Sequence, residues 1–280
     1  MLLKLDNIKN KQLRRILEHA TYLLIIFILI PLFIYFELCV VLPAVVHKEW
    51  CIQYCLHYLC ATFLLLNIIG NMIFGMFTDT SIKGRIINVD IKENWTLCSV
   101  CECLRPPRSW HCDTCDVCVL KRDHHCTFLA CCVGYYNHRY FMCFTFYIFM
   151  AMLYSFFYNT LFLSQFLKWN KGLVIGKFVF PLVSFVLDFG EESLYIFLVE
   201  INFIVGLFTG FLFIYHFNNI INGKITPERK EAKGVSYNRG WKGNITEVFG
   251  SKWYLTWIFP FINSPLPGNG VEWMTEDKSK

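Results

Sequence analysis

The sequence is short of charge. Only 17% of its 280 residues are Asp, Glu, Lys or Arg, while 55% are apolar and 28 are phenylalanine. A soluble domain carries about one quarter charged residues, so this composition excludes one and makes lipid the solvent for much of the chain. The net charge of +5 forms no basic stripe with interleaved aromatics, which excludes a nucleic-acid partner. The apolar stretches lack the repeated polar positions and internal repeats expected of a transporter. No cleavable leader is visible either. The first 19 residues are basic and polar, and the apolar run after them is too long for the core of one.

What is present is a set of apolar runs around one polar loop. A bilayer core of about 30 Å needs about 20 helical residues. Runs 20–46, 51–77, 140–167 and 193–219 meet that need and predict four transmembrane helices. A kink is expected near Pro31, and His47 to Trp50 predict a tight turn joining an antiparallel hairpin. Cys39, Cys51, Cys55 and Cys60 are expected to be ordinary buried thiols. Residues 173–187 are apolar but short and contain Pro181, so an interfacial or re-entrant segment is expected there. Glu200, inside the fourth run, is a snorkelling or helix-paired carboxylate or a functional one. The stretch 234–243 and the aromatic run 253–261 suggest a small element on the membrane face.

Lysine and arginine set the orientation. Residues 1–19, 78–139 and 220–280 hold 22 of the 26, which the positive-inside rule places on the cytosolic side. The expected organisation is a cytosolic N-terminus (1–19), a transmembrane hairpin (20–77), a cytosolic cysteine-rich domain (78–139), two further spans with an intervening hydrophobic loop (140–219) and a cytosolic tail (220–280). The fold class is an all-α polytopic membrane protein with a small two-zinc domain between helices 2 and 3.

Nine of the fourteen cysteines fall within 98–132. Cys98-x2-Cys101 and Cys112-x2-Cys115-x2-Cys118, with histidines interleaved, are metal-ligand spacings, and a reduced, cytosolic loop suits them. Cys98, Cys101, His111, Cys112, Cys115, Cys118, His125 and Cys132 make eight ligands, enough for two Cys3His zinc sites. His111 and Cys112 are neighbours whose side chains tend to diverge, so they serve different metals more naturally than one. An interleaved pairing follows, with Cys98, Cys101, His111 and Cys118 in one site and Cys112, Cys115, His125 and Cys132 in the other. Spacing alone leaves that partition open. Zinc folding on its own would make the loop a docking module.

Asp123-His124-His125-Cys126 points further. In an extended backbone, residues two apart share a face. His124 then lies with Cys126 while His125 turns to the metal, giving a nucleophile, a base and a carboxylate to orient the base. A free thiol of pKa about 8.5 is only roughly 3% thiolate at pH 7. Lowering it by two units corresponds to about 2.7 kcal/mol, which a coupled His124 and a nearby zinc site can supply.

Cys98-x2-Cys101, Arg105-Pro106-x-Arg108, His111-Cys112-x2-Cys115-x2-Cys118, Asp123-His124-His125-Cys126 and Cys132-x-Gly134-x2-Asn137 together resemble the DHHC-type protein S-acyltransferases, or palmitoyltransferases. Tyr237-x2-Gly240-x3-Asn244-x3-Val248-Phe249-Gly250 is similar to the family's C-terminal motif, whose Asn implies a brace between tail and active-site region. The resemblance implies that Cys126 attacks a long-chain acyl-CoA such as palmitoyl-CoA and passes the chain to a cysteine of a protein substrate. It implies His124 as base, Asp123 as its partner, two structural zinc ions, and a lipid-filled cavity among the spans. Protein substrates with membrane-proximal cytosolic cysteines and an endomembrane location, Golgi or endoplasmic reticulum, go with it. Lys121, Arg122 and Arg139 are candidate contacts for the CoA phosphates. Where the family has Trp and Asn, this chain has Phe128 and Cys131. Asp79-Thr80-Ser81 and Ile225-Thr226-Pro227-Glu228 also depart, so a divergent member is expected, the alternative being a weak or inactive zinc-containing membrane adaptor.

Overall fold

The structure is a computed structural model and describes residues 2–46, 52–85, 94–166, 171–187, 190–230 and 236–273. The expected turn at 47–50, Cys51 and the first part of 234–243 lie outside the described residues.

Helices carry the fold. Among the described residues four are long and apolar enough to cross a membrane: Gln12–Val45, Ile52–Phe77, His138–Gln165 and Glu191–Ile221. The first is not a uniform α-helix. It starts as α1 (Leu2–Leu24), widens to a π-helical turn at Ile25–Leu29, continues as α2 (Ile30–Tyr35), widens again at Phe36–Val41 and ends as α3 (Leu42–Val45). Each π-turn directly precedes a proline-bearing segment, Pro31 at the start of α2 and Pro43 at the start of α3. Proline offers no N–H and its ring crowds the carbonyl four residues back, and a wider turn relieves both. The perturbation expected near Pro31 is thus two register changes.

The second, third and fourth spans are carried by α4 (Ile52–Phe77), α5 (His138–Phe166) and α8 (Glu191–Ile221). Between α5 and α8 come α6 (Lys171–Val179) and α7 (Pro181–Leu187), too short to span and broken where Pro181 interrupts the ladder. Cys39 and Cys55 are exposed on their helices and Cys60 is half-buried, which corrects the expectation of buried thiols. A small polarisable thiol is compatible with a lipid-facing helix surface, so nothing forces it inward.

The chain divides into two compact units. One comprises Met1–Ile25, Asn67–Phe144 and Ile214–Lys280, the other Ile26–Leu66 and Thr145–Phe213. The second unit is built on aromatic packing. Phe36 meets Phe162 edge-on at 6.4 Å and Tyr195 at 5.8 Å between ring centroids. It also buries a polar cluster. Glu37 accepts hydrogen bonds from Ser155 Oγ (2.5 Å) and Asn159 Nδ2 (2.8 Å), and Asn202 donates to Ser155 at 2.9 Å. Polar side chains among apolar helices pair with one another in this way.

The first unit holds the cysteine-rich module as three antiparallel hairpins: β1 (Thr96–Cys98) with β2 (Cys103–Arg105), β3 (Trp110–Cys112) with β4 (Val117–Val119), and β5 (His124–Cys126) with β6 (Cys131–Val133). Glu102 and Asp116, each following the second cysteine of a Cys-x2-Cys pair, take left-handed backbone conformations (φ 50° and 56°) that bend each loop back on itself. The Cys101 and Cys115 amides donate to the sulfurs of Cys98 and Cys112 at 3.5 and 3.4 Å. Gly134, just after β6, is needed for close approach. A Cβ there would lie 2.6 Å from Thr80 Oγ1 and 2.7 Å from the Leu120 carbonyl. Asn137 fixes the same corner, accepting from the Gly134 amide (2.8 Å) and donating to the carbonyls of Gly75 (3.0 Å) and Cys132 (2.9 Å).

Candidate active site and metal centres

The hairpins converge their cysteine and histidine ligands into two groups. Cys98, Cys101, His111 and Cys118 form one and Cys112, Cys115, His125 and Cys132 the other, with the ligand atoms of each set within 4.8 Å of one another. The interleaving has a simple origin. His111 and Cys112 are neighbours on β3, so alternation along the strand sends them to opposite faces. His111 Nδ1 lies 3.2 Å from Cys101 Sγ and 4.0 Å from Cys118 Sγ. His125 Nδ1 lies 3.6, 3.3 and 3.7 Å from the sulfurs of Cys112, Cys115 and Cys132. Tetrahedral zinc with bonds of about 2.3 Å to sulfur and about 2.0–2.1 Å to nitrogen spaces its ligand atoms by roughly 3.6–3.8 Å. The donor sets and their spacing therefore fit zinc. Cys103 belongs to neither group and sits opposite Cys98 on β2.

On β5, alternation sends His125 to the second metal group and leaves His124 and Cys126 on the other face. Asp123, buried at 2% exposure, anchors the site. Its Oδ2 meets His124 Nδ1 at 2.7 Å, and its Oδ1 accepts the Thr226 amide at 2.8 Å and the Thr226 hydroxyl at 3.1 Å. His216 Nδ1 approaches Oδ2 at 3.1 Å, outside the alignment of a true hydrogen bond. Burial pushes the Asp123 carboxyl up, but the hydrogen bond from His124 and the His216 contact override it and hold the group well below the usual carboxylate range. Asp123 is thus a carboxylate whose neighbour His124 carries its proton on Nδ1, leaving Nε2 as the basic atom. The rings of His124, His216 and Phe141 form a triangle with centroid separations of 4.8–5.0 Å.

Cys126 is buried at the end of β5. Burial pushes its thiol up to about 11, against the opposing pull of the Leu129 and Phe128 amides. Cys131 sits directly opposite Cys126 in the hairpin, with its sulfur 3.6 Å from the Gly75 carbonyl.

A buried charge network braces the site from behind. Arg108 forks onto Glu228 (Nε 2.7 Å, Nη2 2.9 Å), reaches Glu247 at 3.3 Å and donates to the Gly223 carbonyl at 2.9 Å. Tyr237 and Trp273 flank its guanidinium, each 4.6 Å away. Asn244 donates to the Ile221 carbonyl at 2.7 Å and accepts from the Arg239 amide at 2.9 Å, tying α9 (Gly240–Phe249) to the end of α8.

Lys121 was expected at a CoA phosphate, and the structure corrects this. It is 3% exposed and bonded to Glu247 at 2.5 Å, and burial lowers its pKa even against that carboxylate. Arg122 lies beside the second metal group, where Cys132 and Cys112 favour its charged form against burial, and Arg139 donates to Tyr140 Oη at 2.6 Å. Sequence reasoning did not single out Glu18 or His216, and it named Thr226 and Glu228 only as a departure from a motif. Each meets its partner from 90 or more residues away, so no local spacing announces it.

Four apolar helices, paired Cys3His groups between the second and third, and a carboxylate–histidine pair beside a buried cysteine define a membrane-bound acyl-transferring enzyme. Comparison with known proteins agrees. The family model for DHHC palmitoyltransferases matches residues 91–233. The chain is 32% identical over 221 residues to the probable palmitoyltransferase ZDHHC24 of Mus musculus, covering 77% of each. It is 34% identical over 223 residues to that of Danio rerio, covering 77% of this chain and 74% of the relative. Against palmitoyltransferase ZDHHC15 of Homo sapiens, it is 31% identical over 195 residues, 65% and 52% of the two chains. The chain belongs to the DHHC palmitoyltransferase family and is a protein S-palmitoyltransferase with a zinc-binding cysteine-rich region.

Proposed function

We propose that Cys126 is the acyl-carrying nucleophile, that His124 is its general base, and that Asp123 orients His124. The observation carrying this is the 2.7 Å contact of His124 Nδ1 with buried Asp123, with His124 and Cys126 on one face of β5. His124 Nε2 takes the Cys126 proton as the sulfur attacks the thioester carbonyl of a long-chain acyl-CoA. The CoA thiolate leaves and is protonated. A cysteine of a protein substrate then attacks acyl-Cys126 with the same histidine as base, returning free Cys126. The two half-reactions make the kinetics ping-pong.

Cys98, Cys101, His111 and Cys118 hold one zinc ion and Cys112, Cys115, His125 and Cys132 a second. Zinc supplies folding energy here, roughly 10–16 kcal/mol of apparent binding per site, to hairpins with little apolar core. Arg122 and Arg139 remain the candidates for the CoA phosphates. The termini and the cysteine-rich domain face the cytosol of an endomembrane compartment, Golgi or endoplasmic reticulum, supported by the 22 of 26 basic residues on that side. Protein substrates are then those with membrane-proximal cytosolic cysteines.

Purified protein given labelled palmitoyl-CoA tests the reading. Hydroxylamine-sensitive label in the wild type, absent from Cys126→Ser and slowed in His124→Ala, is the expected result. Absence of label in metal-replete wild type overturns it in favour of a non-catalytic adaptor.

A further inference from the structure

Glu18 lies in the basic N-terminal part of α1, just before the apolar run of the first span, yet it is 5% exposed. An ionised carboxylate in such a place needs partners. Its Oε1 accepts from Arg14 Nε at 3.2 Å, one turn earlier on α1. Its Oε2 lies 3.0 Å from His125 Nε2. The opposite ring nitrogen, His125 Nδ1, faces the sulfurs of Cys112, Cys115 and Cys132 at 3.3–3.7 Å. An imidazole that gives Nδ1 to a metal carries its proton on Nε2, and that is the atom aimed at Glu18.

The first metal group has no such arrangement. Among the described residues His111 Nε2 has no hydrogen-bond partner, and the carboxylates of Asp113 and Asp116 stand at 3.7 and 3.9 Å, beyond hydrogen-bond reach. The difference between the two histidines is therefore built by one residue of α1. The same helix packs against the turn Thr127–Leu129 that follows Cys126.

We infer that Glu18 is the outer carboxylate of the second metal centre, a positioning residue that fixes the tautomer and ring orientation of His125 and so ties the N-terminal helix to the site beside Cys126. The inference rests on the proposed binding of zinc by Cys112, Cys115, His125 and Cys132. Removing an outer partner of this kind typically costs 10–100-fold in metal affinity.

The test is zinc release from the purified, metal-replete full chain into excess chelator, followed by a colorimetric zinc indicator. Glu18→Leu keeps the side-chain length and helix propensity, and Glu18→Gln keeps an acceptor oxygen but drops the charge. Wild type is expected to hold two equivalents. In Glu18→Leu one equivalent leaves about 10–100-fold faster while the other keeps its wild-type rate, and Glu18→Gln falls between. Arg14→Gln, which spares the His125 contact, releases both at close to wild-type rates. Unchanged release in both Glu18 variants overturns the inference. So does joint acceleration of both equivalents, which would mean that Glu18 acts on folding at large. Fewer than two equivalents in wild type would instead defeat the two-zinc reading, and the inference with it.

Discussion

Arg108 is the most informative single side chain to remove. It is 4% exposed and engages Glu228 through two nitrogens at 2.7 and 2.9 Å and Glu247 through a third at 3.3 Å. Its loss falls unevenly. Among the described residues Glu247 keeps Lys121 at 2.5 Å, while Glu228 keeps only the Ile225 amide at 3.0 Å. Arg108→Met therefore strands one largely buried carboxylate, its side chain 14% exposed, and breaking a buried pair from one side costs about 3–5 kcal/mol. At about 2–4 °C per kcal/mol for a chain of this size, the melting temperature in detergent falls by roughly 6–20 °C. Removing both partners is different, because apolar residues of similar volume replace a buried pair at little cost. Arg108→Met with Glu228→Leu then recovers about 2 kcal/mol or more of the single-variant loss. Intrinsic tryptophan fluorescence reads the transition, since Trp273 packs on Arg108. Activity follows, because the Glu228 loop carries Thr226 to Asp123. A double variant as unstable as the sum of the single ones refutes the account of this network.

Three further outcomes are expected. Thr226→Val removes one hydrogen bond to charged Asp123 and keeps the backbone one, so Cys126 autoacylation slows by about 10-fold, equivalent to about 1.4 kcal/mol, with the fold intact; wild-type kinetics would deny Thr226 a part in orienting the pair. Cys131→Asn keeps a donor towards the Gly75 carbonyl, so autoacylation holds or rises; collapse would show that Cys131 carries metal or acyl groups. Burial raises the Glu247 carboxyl, but Lys121 and Arg108 hold it below its ordinary value of 4.5. Its contribution to stability is therefore complete above about pH 4.5 and is lost as pH falls through the lower folded value. Glu247→Gln flattens the acid side of the melting curve, and an unchanged acid slope would contradict that.

The metal groups were legible in the sequence because their ligands are close along the chain and chemically distinctive. Adjacent His111 and Cys112 already implied divergent faces, and the strand β3 realises that divergence. The same alternation separated His124 from His125. The spans were legible from length and apolarity, and the break at Pro181 from the missing N–H. Long-range polar contacts were not legible. Glu18 meets His125 across 107 residues and Thr226 meets Asp123 across 103, and sequence spacing carries no trace of either. A single Glu or His in a helix has many fates, and only packing decides among them. Lys121 shows the reverse error. It looked like a solvent-facing base beside the motif, but the Glu247 carboxylate draws it inward.

Peptide mapping of the acyl-enzyme by mass spectrometry tests the central claim most directly. Metal-replete protein is given palmitoyl-CoA without an acceptor protein and digested at neutral pH. One palmitoyl group on the peptide bearing Cys126, absent from Cys126→Ser and discharged when an acceptor thiol is added, is the predicted result. A palmitoyl group found on Cys131 or Cys103 with Cys126 unmodified would contradict it.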